Sequence, residues 1–256
     1  MTQLQMIHQT KLIAQQDENV SALFMYGSFT KNEGDKYSDI EFYVFLKSID
    51  GFSGVDWVNQ IHPVVLYFTN EYGSEVAIFE NMIRGEFHFL STDEIGIIKS
   101  WEGIVSFSDF DQMNLLDKEG LLTKTLDQIR IKSPDRITDK NVSWLSQSLL
   151  NFLLTTNNLI KRGEFAHAHQ SLSNVHRYLL WLMRVANQQT QHWESPTKNL
   201  ENDIDKDWYS EYKITTSDLN PVNLKMAFQN ALKLSHKLFD KLNVEPKLSQ
   251  ILKQIE

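Results

Sequence analysis

At Ser133-Pro134-Asp135 the spacing of apolar residues changes, and that change constrains the fold more than any other feature of the chain. Before it, short runs of aromatic and β-branched residues at 22–26, 40–45, 64–68, 75–79 and 86–90 are separated by Gly, Asn and Asp, the pattern of strands and tight turns. After it, apolar residues recur at helical spacing over long stretches broken only by Gly163 and a few prolines. A chain of 256 residues can bury two modest cores. The expected architecture is therefore α+β, with a mixed-sheet domain over residues 1–132 followed by an all-helical bundle over 133–256.

Within the first half, Leu4, Ile7, Leu12 and Ile13 predict an amphipathic helix over 2–16, and residues 58–61 read as helical before Pro63 interrupts. The strands at 64–68 and 75–79 are joined by a turn at Asn70-Glu71-Tyr72-Gly73. Ser91-Thr92-Asp93-Glu94 has the form of a capping box, which predicts a short helix to Lys99. The preceding strands make a sheet of at least five, after which a last short strand at 113–116 and a helix from Gly120 to Ile131 are expected. In the second half, helices are predicted over 139–162, 164–188, 196–212 and 221–242, the last opened by Asn220-Pro221, with a final helix from Pro246.

Two short segments carry the chemistry. The apolar run 22–26 ends in Gly27-Ser28, as a strand does when it passes into a tight turn and a short helix. Gly27 lets backbone approach an anion, the Ser28 hydroxyl and the turn amides offer donors, and Lys31 adds a positive charge: a phosphate cradle. Next comes Tyr37-Ser38-Asp39-Ile40-Glu41-Phe42-Tyr43-Val44-Phe45, in which Asp39 and Glu41, two apart on a strand, share one face while Ile40, Phe42 and Val44 take the other. Two adjacent carboxylates repel, and a divalent cation such as Mg²⁺ between them resolves the repulsion and can hold a triphosphate. Singly, a Gly-Ser pair is usually a turn and an Asp-x-Glu is usually solvated surface. In this order, one short polar bridge apart, they form a specific pattern. A third carboxylate, Glu86, alternates with Phe87 and Phe89, so Glu86 and His88 face away from the two rings, although spacing alone does not choose it over Glu71 or Glu75.

The pattern resembles the nucleotidyltransferase superfamily that includes DNA polymerase β and the antibiotic nucleotidyltransferases, whose signature is Gly-Ser, a spacer, then Asp-x-Asp or Asp-x-Glu. More closely, residues 25–31, 37–43, Asn70-Glu71-Tyr72-Gly73 and Ile83-Arg84-Gly85-Glu86-Phe87-His88-Phe89-Leu90 are similar to the lincosamide nucleotidyltransferases of the larger, two-domain type. The match is strongest up to Leu90 and continues more weakly to the C-terminus. Asn32 stands where relatives can have Gly.

That resemblance implies transfer of a nucleoside monophosphate, AMP from ATP, to a hydroxyl of a lincosamide such as lincomycin or clindamycin, with release of pyrophosphate and resistance to the drug. It implies that Asp39 and Glu41 hold Mg²⁺, that Gly27, Ser28 and Lys31 bind the nucleotide phosphates, and that Glu86 takes the proton from the drug hydroxyl or helps bind a second metal. It also implies a homodimer whose drug pocket is completed by the helical domain. Two alternatives stand beside it. One is an enzyme of the same fold acting on an aminoglycoside or a protein hydroxyl. The other is a non-catalytic nucleotide-binding or dimerisation module, which loss of a carboxylate would favour; all three carboxylates are present.

Charge and composition narrow the partners. A formal net charge of -8 opposes binding of long nucleic acid, which needs a basic stripe, and suits a cationic small acceptor. With no cysteine the chain has no disulfide or thiolate chemistry, and neither a basic-apolar leader nor a membrane-length apolar run is evident, so a cytoplasmic protein without membrane contact is expected. His167-Ala168-His169 does not read as a metal site, because i, i+2 side chains on a helix point about 160° apart. His176, Trp181 and Met183 read as core or interface residues, and Trp193 and Tyr209 as packing or pocket lining.

Overall fold

The computed structural model describes residues 1–255, which fall into two compact units, the first Met1–Pro134 and the second beginning at Asp135. The first unit contains α1 (Gln3–Gln16), β1 (Val20–Tyr26), β2 (Ile40–Leu46), α2 (Gly54–Asn59), β3 (Val64–Thr69), β4 (Glu75–Phe79), β5 (Arg84–Ser91), α3 (Ile97–Ser100), α4 (Phe110–Met113), β6 (Asn114–Asp117) and α5 (Leu121–Leu126). Short 3₁₀ turns follow β1 and β5, at Ser28–Lys31 and Thr92–Glu94.

The six strands form one sheet in the order β3-β4-β5-β2-β1-β6. β2 and β5 run parallel and the other neighbours antiparallel, so the sheet is mixed. One register matters for the site. Tyr26 on β1 lies opposite Glu41 on β2, which lies opposite Glu86 on β5. These three positions thus form a row across the centre of the sheet.

Both faces of the central strands are covered. On one face Met6, Ile13 and Ala14 of α1 and Trp57 and Val58 of α2 pack on Ile40, Phe42, Val44 and Phe87, with the Phe42 and Phe87 rings stacked at 5.6 Å. Ile40, Phe42 and Val44 are essentially without solvent contact, so each contributes about 1.5–3 kcal/mol of burial. On the other face Ala22, Phe24 and Phe45 pack against Ile98, Met113, Leu122 and Leu126. The face that carries Glu41 and Glu86 is therefore open only at one end and becomes core farther along, beyond Tyr43.

Local departures from the sequence reading have local causes. The helix after Gly120 ends at Leu126 rather than Ile131, because the amides of Arg130 and Ile131 donate to the Glu102 carboxylate instead of to helix carbonyls. The helix expected at 58–61 begins earlier, at Gly54, because the Ser53 hydroxyl accepts from the Asp56 amide and caps it. The Ser91 capping box forms, yet it starts only a 3₁₀ turn, with α3 following separately. β6 begins at Asn114, since Met113 completes α4.

The second unit is helical: α6 (Asp139–Arg162), α7 (Phe165–Ala186), α8 (Leu200–Asp203), α9 (Lys206–Lys213), α10 (Pro221–Lys241) and α11 (Pro246–Ile255). Gly163, at φ 77°, ends α6 in the left-handed conformation and lets the chain turn into α7. Leu149, Leu153, Val175, Leu179, Leu238 and Leu252 line its core. The continuous helix predicted over 196–212 is not formed. The cause is Arg184, wholly buried on α7, which donates to the carbonyls of Gln189, Pro196 and Lys198 and to the Asp203 carboxylate. Those carbonyls point at the guanidinium instead of along a helix axis, and Asp205 then caps α9 afresh.

The histidines of α7 pin neighbouring loops. His169 and His176 pair through Nε2 with the carbonyls of Ser217 and Thr215, and exposed His167 lies by Glu164. Trp193 is buried, stacked on Trp181 and accepting from its indole N–H, while the Tyr209 hydroxyl donates to Glu201. Among the described residues no helix is long and apolar enough to cross a membrane.

Candidate active site

The turn after β1 is built on Gly27, at φ 84° and ψ -159°, a region closed to residues with a side chain. A second constraint falls on the same atom. A Cβ on Gly27 would lie 1.6 Å from Glu41 Oε2, so the carboxylate of β2 rests directly over the bare Cα. The Thr30 hydroxyl donates to the Gly27 carbonyl at 2.8 Å and pairs with Ser108 at 2.9 Å, which fixes the turn to the segment before α4. Asn32 closes the turn in the left-handed conformation at φ 57°, which asparagine tolerates and which explains why it can replace glycine there. Ser28 and Lys31 are the first and last residues of the 3₁₀ turn, both partly exposed.

Asp39 immediately precedes β2, Glu41 lies within it, and Glu86 lies beside Glu41 on β5. Between Asp39 and Glu86 stands Arg84, whose Nη1 donates to Asp39 Oδ2 and whose Nη2 donates to Glu86 Oε2, each at 2.6 Å. One guanidinium thus bridges two carboxylates from two strands. Burial pushes the Glu86 carboxyl up, but hydrogen bonds from Arg84 and Ser74 and the Arg84 charge outweigh it and hold it below the usual range. Arg84 is held above its ordinary value, burial being outweighed by the two carboxylates.

An aromatic wall closes the other side. The Tyr26 hydroxyl donates to Glu86 Oε1 at 3.3 Å and lies 3.1 Å from His88 Nε2. With the Tyr26 O–H directed at Glu86, the Tyr26 oxygen accepts from the Nε2–H tautomer of His88. His88 stacks on Tyr43 at 4.1 Å, and Tyr43 packs against Trp101 at 5.1 Å. Burial, then the Glu86 and Glu41 charges, keep the Tyr26 hydroxyl protonated far above its ordinary range. Burial and Glu86 push Tyr43 up to about 12. Burial lowers His88 against the pull of Glu86, so it is a neutral ring at physiological pH.

Gly27, Ser28, Glu41 and Glu86 are thus drawn together by β1, β2 and β5, with Asp39 tied to Glu86 through Arg84. Arg84 and Tyr26 are the residues that the sequence reading passed over. Arg84 was within reach, since it stands two before Glu86 and the same alternation aims both at one face. Among the described residues no three His, Cys, Asp or Glu side chains converge as a metal cluster. The donor chemistry nevertheless suits Mg²⁺, a hard cation that is usually held by one or two carboxylates and keeps several waters. Arg84, a cation lodged between Asp39 and Glu86, marks the place as one that demands positive charge.

Residues 138–255 match the family described as lincosamide nucleotidyltransferase-like, C-terminal domain. No curated protein matches the chain. Among solved structures, an aminoglycoside 6-adenyltransferase from Bacillus subtilis aligns over 100% of this chain and 99% of its own, at 14% identity and a TM-score of 0.43. A nucleotidyltransferase-like protein from Exiguobacterium sibiricum aligns over 93% and 77%, at 14% identity and a TM-score of 0.40. Both superpose too loosely to bear on the site. The weight rests on the helical half: residues 138–255 match the C-terminal domain of the lincosamide nucleotidyltransferase-like family, and the unit before them brings Gly27-Ser28 and Asp39-Ile40-Glu41 together on adjoining strands.

Proposed function

We propose that the protein inactivates lincosamides by transferring AMP from ATP to a drug hydroxyl with release of pyrophosphate. The observation that carries this reading is the row formed by Tyr26, Glu41 and Glu86 beside the Gly27 turn, in a chain whose second half matches the lincosamide nucleotidyltransferase-like family. In this reading residues 1–132 are the catalytic domain and 133–256 the helical domain, the protein acts in the cytoplasm as a homodimer, and neither nucleic acid nor membrane is a partner.

The roles follow from position. Gly27 lets the Glu41 carboxylate lie against the turn, the turn amides and the Ser28 hydroxyl offer donors to phosphate, and Lys31 adds charge for the β and γ phosphates. Asp39 and Glu41 would hold Mg²⁺, which when bound neutralises phosphate charge and stabilises the charge that develops in an in-line displacement. Glu86, ionised at neutral pH, accepts the proton of the attacking hydroxyl. Tyr26, a fixed donor on Oε1, orients that carboxylate, and neutral His88 holds Tyr26.

Purified protein incubated with ATP, Mg²⁺ and clindamycin should yield a drug heavier by one adenylyl group in mass spectrometry. Transfer only to aminoglycosides in parallel reactions would overturn the lincosamide assignment while keeping the transferase reading.

A further inference from the structure

The bridge made by Arg84 is unusual in its geometry. The guanidinium is not a fork on one carboxylate. Its two terminal nitrogens reach different acids, Asp39 just ahead of β2 and Glu86 on β5, each at 2.6 Å. It is also not sealed in. The Arg84 side chain is 36% exposed and Asp39 38%, whereas Glu86 is 19% exposed, so the arginine has an open route to solvent and Glu86 has much less. A guanidinium cannot shed its charge by losing a proton at any pH the protein meets. It can give up this position only by moving.

We infer that Arg84 is a latch: in the metal-free protein it occupies the place of a cation between Asp39 and Glu86, and a divalent cation binding at Asp39 displaces it. The inference rests on the metal-dependent reading of the site above and adds to it a residue that sets cation affinity. Two physical steps support it. First, Asp39 and Glu86, with Glu41 beside Glu86, concentrate negative charge at one end of the sheet, and an internal cation holds that arrangement together before any ligand arrives. Second, a divalent cation adjacent to the guanidinium would be repelled by it, while the Asp39 oxygen nearest the bridge is already occupied by Nη1. Exchange satisfies both groups, because the long arginine side chain can swing outward along its exposed side.

The test uses Mn²⁺ alone as the probe, with neither nucleotide nor drug present, so its outcome stands apart from whether a lincosamide is the acceptor. Arg84→Met removes the competing charge and should tighten Mn²⁺ binding, followed by electron paramagnetic resonance, about tenfold or more. Arg84→Lys, which keeps the charge but cannot bridge with two nitrogens, should fall between the variant and the wild type. In the wild type, phenylglyoxal labelling mapped to Arg84 by mass spectrometry should accelerate when Mn²⁺ is added. This second measurement decides the matter even if Arg84→Met does not fold. Equal or weaker Mn²⁺ binding by a folded Arg84→Met, or labelling of Arg84 that Mn²⁺ leaves unchanged or slows, overturns the latch. Either result would mean that Arg84 stays on its carboxylates and serves only to position them.

Discussion

Replacing Gly27 by alanine separates two demands that the structure places on one atom. The first is conformational. At φ 84° and ψ -159° a residue with a Cβ is strained by about 1–3 kcal/mol, which for a unit of this size lowers the melting temperature by about 3–10 °C. The second is steric. The new Cβ would lie 1.6 Å from Glu41 Oε2 and 2.6 Å from its Cδ, a contact no structure sustains. Because the carboxylate is the far end of a flexible side chain, it will swing aside, and the clash will register as lost turnover more than as further lost stability. Gly163→Ala is the control. Gly163 also has a left-handed φ, 77°, but a Cβ there meets nothing within 4 Å, so it should lose about 1–2 kcal/mol and leave turnover intact. Thermal unfolding and steady-state transfer are measured on both variants. A Gly27→Ala protein that melts within a degree of wild type and keeps full turnover would refute the reasoning, since neither strain nor displacement of Glu41 would then be present.

Asp39→Asn should abolish transfer while changing stability by less than about 1 kcal/mol, because its ion pair with Arg84 is partly solvated; substantial turnover at saturating Mg²⁺ defeats the assignment. Glu86→Gln should lower turnover about 10²- to 10⁴-fold with little change in ATP affinity; if ATP binding collapses as well, Glu86 is a metal ligand. Arg184→Met should destabilise the protein by about 3–5 kcal/mol, since it leaves Asp203 and three carbonyls without their buried partner, and an unchanged melt would show that the guanidinium contributes nothing. For pH, burial pushes the Asp203 carboxyl up, but His192, Arg184 and Asn199 outweigh it and hold it below the usual range. Its stabilisation is therefore complete above the ordinary carboxylate pKa and is lost as pH falls through the lower, folded value, and Asp203→Asn should flatten the acid side of a melting-temperature profile.

The legible parts of this chain are those in which short-range pattern and long-range packing agree. Asp39-Ile40-Glu41 sorts its side chains by strand alternation alone, and Ile40, Phe42 and Val44 are buried as that alternation requires. Glu86 was aimed correctly by Phe87 and Phe89, but only the parallel register of β2 and β5 puts it next to Glu41, and no local rule sets that register. The region after α7 was misread for the converse reason. Residues 196–212 have helical spacing, yet Arg184, in the last turn of α7, draws the carbonyls of Pro196 and Lys198 to itself. The helix ending at Leu126 was overextended likewise, since the amides of Arg130 and Ile131 find Glu102, which lies well back along the chain.

The two oxygens of Glu86 bring the site residues and the latch into one argument. Oε1 accepts from Tyr26, whose hydroxyl is kept protonated by burial and by the carboxylates around it, so that oxygen is committed at every pH the enzyme meets. Oε2 accepts from Arg84 at 2.6 Å. While both bonds stand, each oxygen of Glu86 already accepts a hydrogen bond, and the charge on Arg84 lowers its proton affinity. Departure of Arg84 changes both conditions. Oε2 becomes available on the side where Asp39 lies, and burial, which favours the protonated carboxyl, loses its strongest opponent. In the proposed latch, the event that frees Asp39 for a divalent cation is the same one that would release Glu86 Oε2 to act as a base. A site built this way would keep its base idle until a cation had arrived.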